Sequence, residues 1–469
     1  MPNQKYKSLF NDTIIFAIGN FGSKIISFFL VPIYTNVLST LQYGTADLVM
    51  TCATLLVPVF SLVIQDSVLR FGLSDEYENG NVLKCASVVF IIGTVTSLLT
   101  LPLLNYYRSI SEWKYYLITI TITTMASNIL FAYAKTIGKN LLFALCSIVQ
   151  TLVLAITNIL LLVVFKLGVR GFLVANIAAQ FVSVLLLLIF TGAVSDLLRS
   201  KTEKKLLRSM VAFSTPLIAN NLSWWVLNSS DRVMVEYYID ASSLGLYGAA
   251  SKIPALLSII TAIFSQAWSI SAIREYDHER DNKFYSNIFS VFATAMFFGG
   301  VFIISVVKPF MSLYVGKSFY PSWNMVPLLL FGSVYYAFSA FFGSIYGALK
   351  KNFRVALTTA FAAIINIGIN LILLRSIGVV AAAISTAISY FLIGIYRMID
   401  SQIFFRFKID YLKFSVNTCI LLFQTIMVSL DKYIYVVSLF AFLVLVVINW
   451  TELKKVVGFA KVLMNKSTN

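Results

Sequence analysis

A chain that returns again and again to apolar runs of about 20 residues has one way to satisfy its backbone in hydrocarbon, a bundle of membrane-crossing helices. Fourteen such runs follow one another here, from 12–36, 43–69 and 85–105 through 212–237 and 244–272 to 414–430 and 433–450. Composition agrees: 59% of the 469 residues are hydrophobic and 12% charged, and the mean hydropathy is +0.85. A soluble domain with those values would aggregate. The expectation is an all-α polytopic membrane protein of about 14 transmembrane helices.

The formal charge of +16 raises the question of nucleic acid, but the basic residues are scattered among short connections and not gathered on one module. Membrane topology accounts for them. Lys and Arg number 25 in one set of alternate connections and 8 in the other, so both termini are expected in the cytoplasm. No cleavable signal peptide is expected, because the polar start MPNQKYKSLFND leads into a full-length span without a small-residue cleavage site.

Cys52, Cys85, Cys146 and Cys419 lie in or beside apolar runs without a CxxC or Cys/His cluster, so neither disulfide nor metal nor other cofactor is expected. GNFGSK lacks the spacing of a phosphate-binding loop, and neither GxSxG nor HExxH occurs. No connection exceeds about 17 residues, which leaves no room for a soluble catalytic domain, and no enzyme activity is expected.

The most basic connection holds Arg199, Lys201, Lys204, Lys205 and Arg208 after six helices. It reads as a linker, 196–211, between an N-lobe (1–195) and a C-lobe (212–400), with helices 13 and 14 at 401–450 and a basic amphipathic tail at 451–469. A sparse internal repeat supports this. Tyr34, Ser39, Tyr43, Gly44 and Ala46 recur 204 positions later as Tyr238, Ser243, Tyr247, Gly248 and Ala250. Pro32, Pro58, Pro216 and Pro254 are each expected to bend a helix or free a carbonyl.

Polar residues inside such spans are costly and therefore informative. Lys24 sits amid the apolar run Ile18 to Tyr43 and shares a helix face with Asn20 and Ser27; pairing with a neighbouring helix for assembly is its other reading. In helix 7, Asn221, Trp225, Asn228 and Arg232 form one stripe flanked by Trp224 and Asp231. An Arg fork suits phosphate oxygens and an indole face suits a sugar ring. A structural ion pair is the alternative for Asp231 and Arg232. Helix 8 adds Lys252, Gln266 and Trp268, and helix 2 adds Asp47, Asp66 and a threonine-rich face; Asp47 is close enough to its helix end to be simply solvated.

GNFGSKIISFFLVPIYTNVLSTLQYGTADL, DRVMVEYYIDASSLGLYGAASKI and the LGVRG and IGVVAAA segments resemble the polysaccharide-transporter branch of the multidrug/oligosaccharidyl-lipid/polysaccharide exporter superfamily, the O-antigen and capsule repeat-unit flippases. The resemblance implies two pseudo-symmetric six-helix lobes around a central cavity, plus two C-terminal helices. It implies alternating-access translocation of undecaprenyl-pyrophosphate-linked oligosaccharide across the cytoplasmic membrane, beside membrane lipids and polysaccharide polymerase or assembly proteins, with no nucleic acid involved. It also implies a cationic lumen, for which Lys24, Arg232 and Lys252 are the candidates; Asn221, Asn228, Trp224, Trp225 and Trp268 would meet sugar, and Asp47, Asp66 and Asp231 would form cavity ion pairs or couple an ion. An ion-coupled multidrug or small-cation antiporter, and a membrane polysaccharide polymerase, are the alternatives.

Overall fold

The structure, a computed structural model, describes residues 24, 26–74, 76–278 and 282–454. The start of the first expected span, with Asn20, and the amphipathic tail beyond residue 454 lie outside the described residues. The described chain is helical without a β-strand. Its first part comprises α1 (Ile26–Val37), α2 (Thr40–Ser61), α3 (Ile64–Gly72), α4 (Asn79–Leu99), the single turn α5 (Arg108–Ser111), α6 (Lys114–Thr136), α7 (Asn140–Asn158), α8 (Gly168–Thr191) and α9 (Ala193–Arg199). Then come α10 (Lys204–Tyr238), α11 (Ala241–Ala250), α12 (Lys252–His278), α13 (Asn282–Tyr314), α14 (Val326–Ala348), α15 (Asn352–Ile377), α16 (Val380–Phe404), α17 (Tyr411–Ser429) and α18 (Ile434–Ile448).

Among the described residues ten helical stretches are long and apolar enough to cross a membrane, or eleven if α11 and 252–266, bent by 42°, count as one span. The chain is thus a multi-span membrane protein, while the expected count of 14 is not reached by this measure. The shortfall falls on three segments. Only 12 residues of the first are described as α1, α18 has 15 residues, and α10, although 35 residues long, carries the polar stripe.

Two compact units divide the chain, residues 1–236 with 240–245 and residues 237–239 with 246–469. The long helix α10 therefore counts almost entirely with the first unit, past the 196–211 boundary expected between lobes. Nor is 196–211 a loose connection. Lys204 to Met210 are the first two turns of α10, and the stretch is fastened: Tyr133 Oη donates to Asp196 Oδ2 at 2.5 Å, Asn81 Nδ2 to Glu203 Oε1 at 2.7 Å and Lys84 Nζ to the Leu197 carbonyl at 2.8 Å. Beneath these bonds Ile64, Val68, Cys85, Leu206 and Met210 form the unit's core.

The second expected span, 43–69, is not one helix. Pro58 denies the Thr54 carbonyl its usual donor, and the helix is interrupted at Leu62 and Val63, which take φ of 51° and 55°. The Ser61 hydroxyl accepts the Val63 N–H at 3.1 Å. Two successive non-glycine residues in left-handed conformation, one of them β-branched, store about 1–3 kcal/mol each. Pro254 acts similarly on the eighth span, which breaks at Ser251, between α11 and α12.

In the second unit α14 is almost wholly buried. Its Phe338, Phe341 and Phe342 meet Phe289, Phe292 and Phe297 of α13 in one aromatic core. Arg397 of α16, which the basic-residue count assigns to a loop, is 1% exposed. All five of its N–H groups are used: Nε on Thr358 Oγ1, Nη1 on the carbonyl and hydroxyl of Ser339, Nη2 on the Val355 carbonyl and Thr359 Oγ1, at 2.8–3.2 Å. The helix simply continues past its last apolar run and carries the guanidinium inside.

Candidate functional site

The polar face of α10 is the most developed candidate, and the first unit presents it against α2. Arg232 Nη1 contacts Asp47 Oδ1 at 2.7 Å, with side chains 22% and 9% exposed. Two turns back along α10, the Trp225 indole N–H is shared between the Thr51 carbonyl at 3.2 Å and Thr54 Oγ1 at 3.1 Å. One turn beyond Arg232, the Glu236 carboxylate accepts from the hydroxyls of Tyr107 and Ser109. Asp47, for which the sequence left open a cavity ion pair or simple solvation near its helix end, is buried and paired. Its partner is Arg232, so one cation and one carboxylate that the sequence reading assigned to the cavity meet each other.

The approach of the two segments is set by glycine. A Cβ on Gly44 would sit 1.7 Å from the Ala241 carbonyl oxygen, and one on Gly245 would sit 2.1 Å from that of Thr40. Backbones in contact let the short hydroxyls of Thr40 and Ser242 meet at 2.5 Å. The Asp240 carboxylate accepts the Ser243 N–H at 2.6 Å and starts α11.

Asn221 and Asn228 donate to the carbonyls one turn earlier in α10, those of Leu217 at 3.0 Å and Trp224 at 2.7 Å. Asn228 is exposed, Asn221, Trp224 and Trp225 are half-buried, and Asp231 is buried. Lys24 is helical and exposed, as is the side chain of Asp66 in the first turn of α3. Lys252 opens α12 at the break after Ser251 and is half-buried. Lys24, Asp47, Asp66, Asp231 and Arg232 belong to the first unit, Lys252 and Trp268 to the second.

Trp268 departs from its expected role as a sugar platform. It is 3% exposed, its indole N–H donates to the Phe341 carbonyl at 3.1 Å, and its ring stacks on Phe341 at 4.5 Å. A ring covered on its face by protein has none left for a sugar, and Trp268 is core. Glu236, Tyr107 and Ser109 are residues the sequence reading did not single out. A glutamate seven places after Ser229 on a helix already carrying Asn221 and Arg232 was the available signal, but its partners lie 127 and 129 positions away.

A family model described as "Polysaccharide biosynthesis protein" matches residues 9–269. A protein of the Lsg locus of Haemophilus influenzae is 21% identical over 266 residues, 55% of this chain and 64% of that protein. The chain thus spans just under two thirds of the length of the curated relative it matches. Among solved structures, the lipid II flippase MurJ in an inward closed conformation superposes with TM-score 0.68 at 14% identity, covering 94% of this chain and 99% of that one. An inward-facing multidrug resistance MATE family transporter superposes with TM-score 0.66 at 13% identity, covering 82% and 93%. At such identities the likeness is one of fold, and it agrees with the helical architecture above. With more than half its length matched by the family model, the chain belongs to the polysaccharide biosynthesis protein family and carries the fold of the multidrug/oligosaccharidyl-lipid/polysaccharide exporter superfamily.

Proposed function

We propose that this protein is a flippase that moves an undecaprenyl-pyrophosphate-linked oligosaccharide repeat unit from the inner to the outer leaflet of the bacterial cytoplasmic membrane. The observation that carries the reading is the polar face of α10, with Asn221, Trp225, Asn228 and Arg232 on a helix set among apolar spans. A glycan head cannot cross hydrocarbon bare, because each unpaired hydroxyl costs several kcal/mol to desolvate. A polar-lined route that opens alternately to each side removes that cost while the lipid tail stays in the bilayer.

In this reading Arg232, Lys24 and Lys252 receive the pyrophosphate, Asn221 and Asn228 meet sugar hydroxyls, and Trp224 and Trp225 offer ring faces. Asp47 holds Arg232 until the anion arrives, and Asp66 and Asp231 balance the remaining cations. Lacking a nucleotide-binding loop, turnover draws on an ion gradient or on consumption of product outside. Cells lacking the gene should accumulate the complete lipid-linked repeat unit in the inner leaflet and lose the surface polysaccharide. Single repeat units still reaching the surface, with only long chains lost, would favour a polymerase instead.

A further inference from the structure

A second polar hollow lies within the first unit, at the end where α2 begins. It has a volume of about 390 Å³ and is lined by Gln42, Glu112, Trp113, Lys166 and Arg170 among others. That volume is in the range of small-molecule sites, about 300–1,000 Å³. Lys166, Arg170 and Glu112 are exposed and, among the described residues, enter no ion pair, so two cations and a carboxylate border one open hollow.

The backbone that presents them is irregular. After Asn158 the helix widens into a π-helix, Ile159–Val164. Lys166 then takes φ of 55° and Gly168 φ of 59°. A lysine in left-handed conformation beside a π-helix is a departure of the kind concentrated at functional sites. Here the result is that Lys166 and Arg170, four positions apart across the turn, line the same hollow as the half-buried Trp113.

We infer that this hollow binds a sugar attached to a phosphate or diphosphate, the two cations holding the phosphate, the Trp113 ring lying against the sugar, and Gln42 and Glu112 meeting hydroxyls. The chemistry is that of the headgroup proposed above as cargo, and the inference rests on that reading for the identity of the lipid. By the basic-residue asymmetry this end of the unit faces outward. The hollow is then a receiving site, where a translocated headgroup waits for the glycosyl transfer that removes it from its carrier.

The test uses the full chain in lipid nanodiscs and in intact cells, with the four native cysteines replaced by alanine and Thr45→Cys, which also lines the hollow, as reporter. Labelling by a membrane-impermeant maleimide added outside is followed with a short-chain prenyl diphosphate N-acetylglucosamine, the same prenyl diphosphate without sugar, inorganic pyrophosphate, or phosphatidylglycerol in the nanodisc. We expect the sugar-bearing probe to slow labelling at least tenfold. Lys166→Ala/Arg170→Ala should abolish that protection, Arg170→Lys should retain part of it, and Trp113→Ala should erase the advantage of the sugar-bearing probe over the sugar-free one. Leu41→Cys serves as reporter if Thr45→Cys does not fold. Equal protection by phosphatidylglycerol, protection indifferent to Lys166 and Arg170, or labelling only from the inside would each overturn the inference. Because the probe is added from outside and needs no translocation, the site can fail while accumulation in cells lacking the gene stands, and the reverse.

Discussion

Arg232 Nη1 lies 2.7 Å from Asp47 Oδ1, and the other carboxylate oxygen of Asp47 is buried with no hydrogen-bond partner among the described residues. The pair fastens α10 to α2, yet half of its acidic member is unused. Removing the guanidinium leaves a buried carboxylate uncompensated, which in comparable pairs costs ~3 kcal/mol or more.

Arg232→Ala should therefore lower the melting temperature of the purified protein and abolish transport at normal protein levels, whereas Arg232→Lys should keep part of both. The exchange Asp47→Arg with Arg232→Asp separates the two roles. It should recover most of the melting temperature but not transport, because the cation has moved to another helix. Transport recovered together with stability would show the pair to be structural alone.

The backbone contact at Gly44 and Gly245 predicts a sharp contrast among glycines. Gly44→Ala and Gly245→Ala each force a methyl into a carbonyl oxygen, a clash that a backbone cannot relieve cheaply. Each should cost about 3 kcal/mol, the upper end for overpacking, and reduce the amount of folded protein. Gly347→Ala, where a Cβ meets nothing within 4 Å on α14, should be neutral or mildly stabilising. Thermal unfolding in detergent compares the three directly.

Arg397 should be intolerant of its nearest chemical relative. Lysine cannot reproduce five fixed N–H bonds, so Arg397→Lys leaves buried acceptors on Ser339, Thr358 and Thr359 unpaired and should destabilise by ~2 kcal/mol or more. Arg354→Lys offers the comparison. Its Nη1 bond to Asp400 Oδ1 at 2.8 Å comes from a side chain 42% exposed, and that change should cost less than 1 kcal/mol on the scale of exposed pairs, ~0–1 kcal/mol.

Acid should loosen α17 and α18. Glu452, just past α18, accepts from Lys413 and from the Thr451 hydroxyl. Burial pushes its carboxyl up, but these bonds outweigh it and hold the group below the ordinary glutamate value. A depressed carboxyl contributes stability that is fully present above the unfolded value, about 4.3, and lost as pH falls through the folded one. Hydrogen exchange across 411–429 and 434–448 should rise below about pH 4 in the native protein and show no such step in Glu452→Gln.

Orientation can be checked by fusion. A reporter active only in the cytoplasm should work after Asn469 and fail when inserted at Ala241–Ser243. Activity at the second place would invert the topology and put the Lys166–Arg170 hollow inside.

Helix existence was legible because hydrocarbon demands it, and every expected span overlaps a helix wherever the residues are described. The stripe on α10 was legible for the same reason, since polar residues repeat at helical spacing only when something holds them there. What periodicity cannot tell is which neighbour a face will meet. Trp268 and Trp225 look alike in sequence, yet one stacks on Phe341 inside a core and the other donates to α2. Arg397 was hidden by the habit of ending a span at its last apolar residue, whereas a buried threonine and serine cage lets the helix run on. The turn at Leu62 and Val63 had only Pro58 to announce it.

That turn has a mechanical corollary. Before it, α2 is tied to α10 through Asp47 and Thr51; after it, Ser67 Oγ of α3 donates to the Met210 carbonyl of the same helix at 2.6 Å. The two arms of an interrupted span are thus lashed at separate points to one strut of 35 residues, about 52 Å long. The two arms are therefore kept in line by α10 and not by an unbroken helix between them, so that loosening one lashing frees one arm while the other stays held.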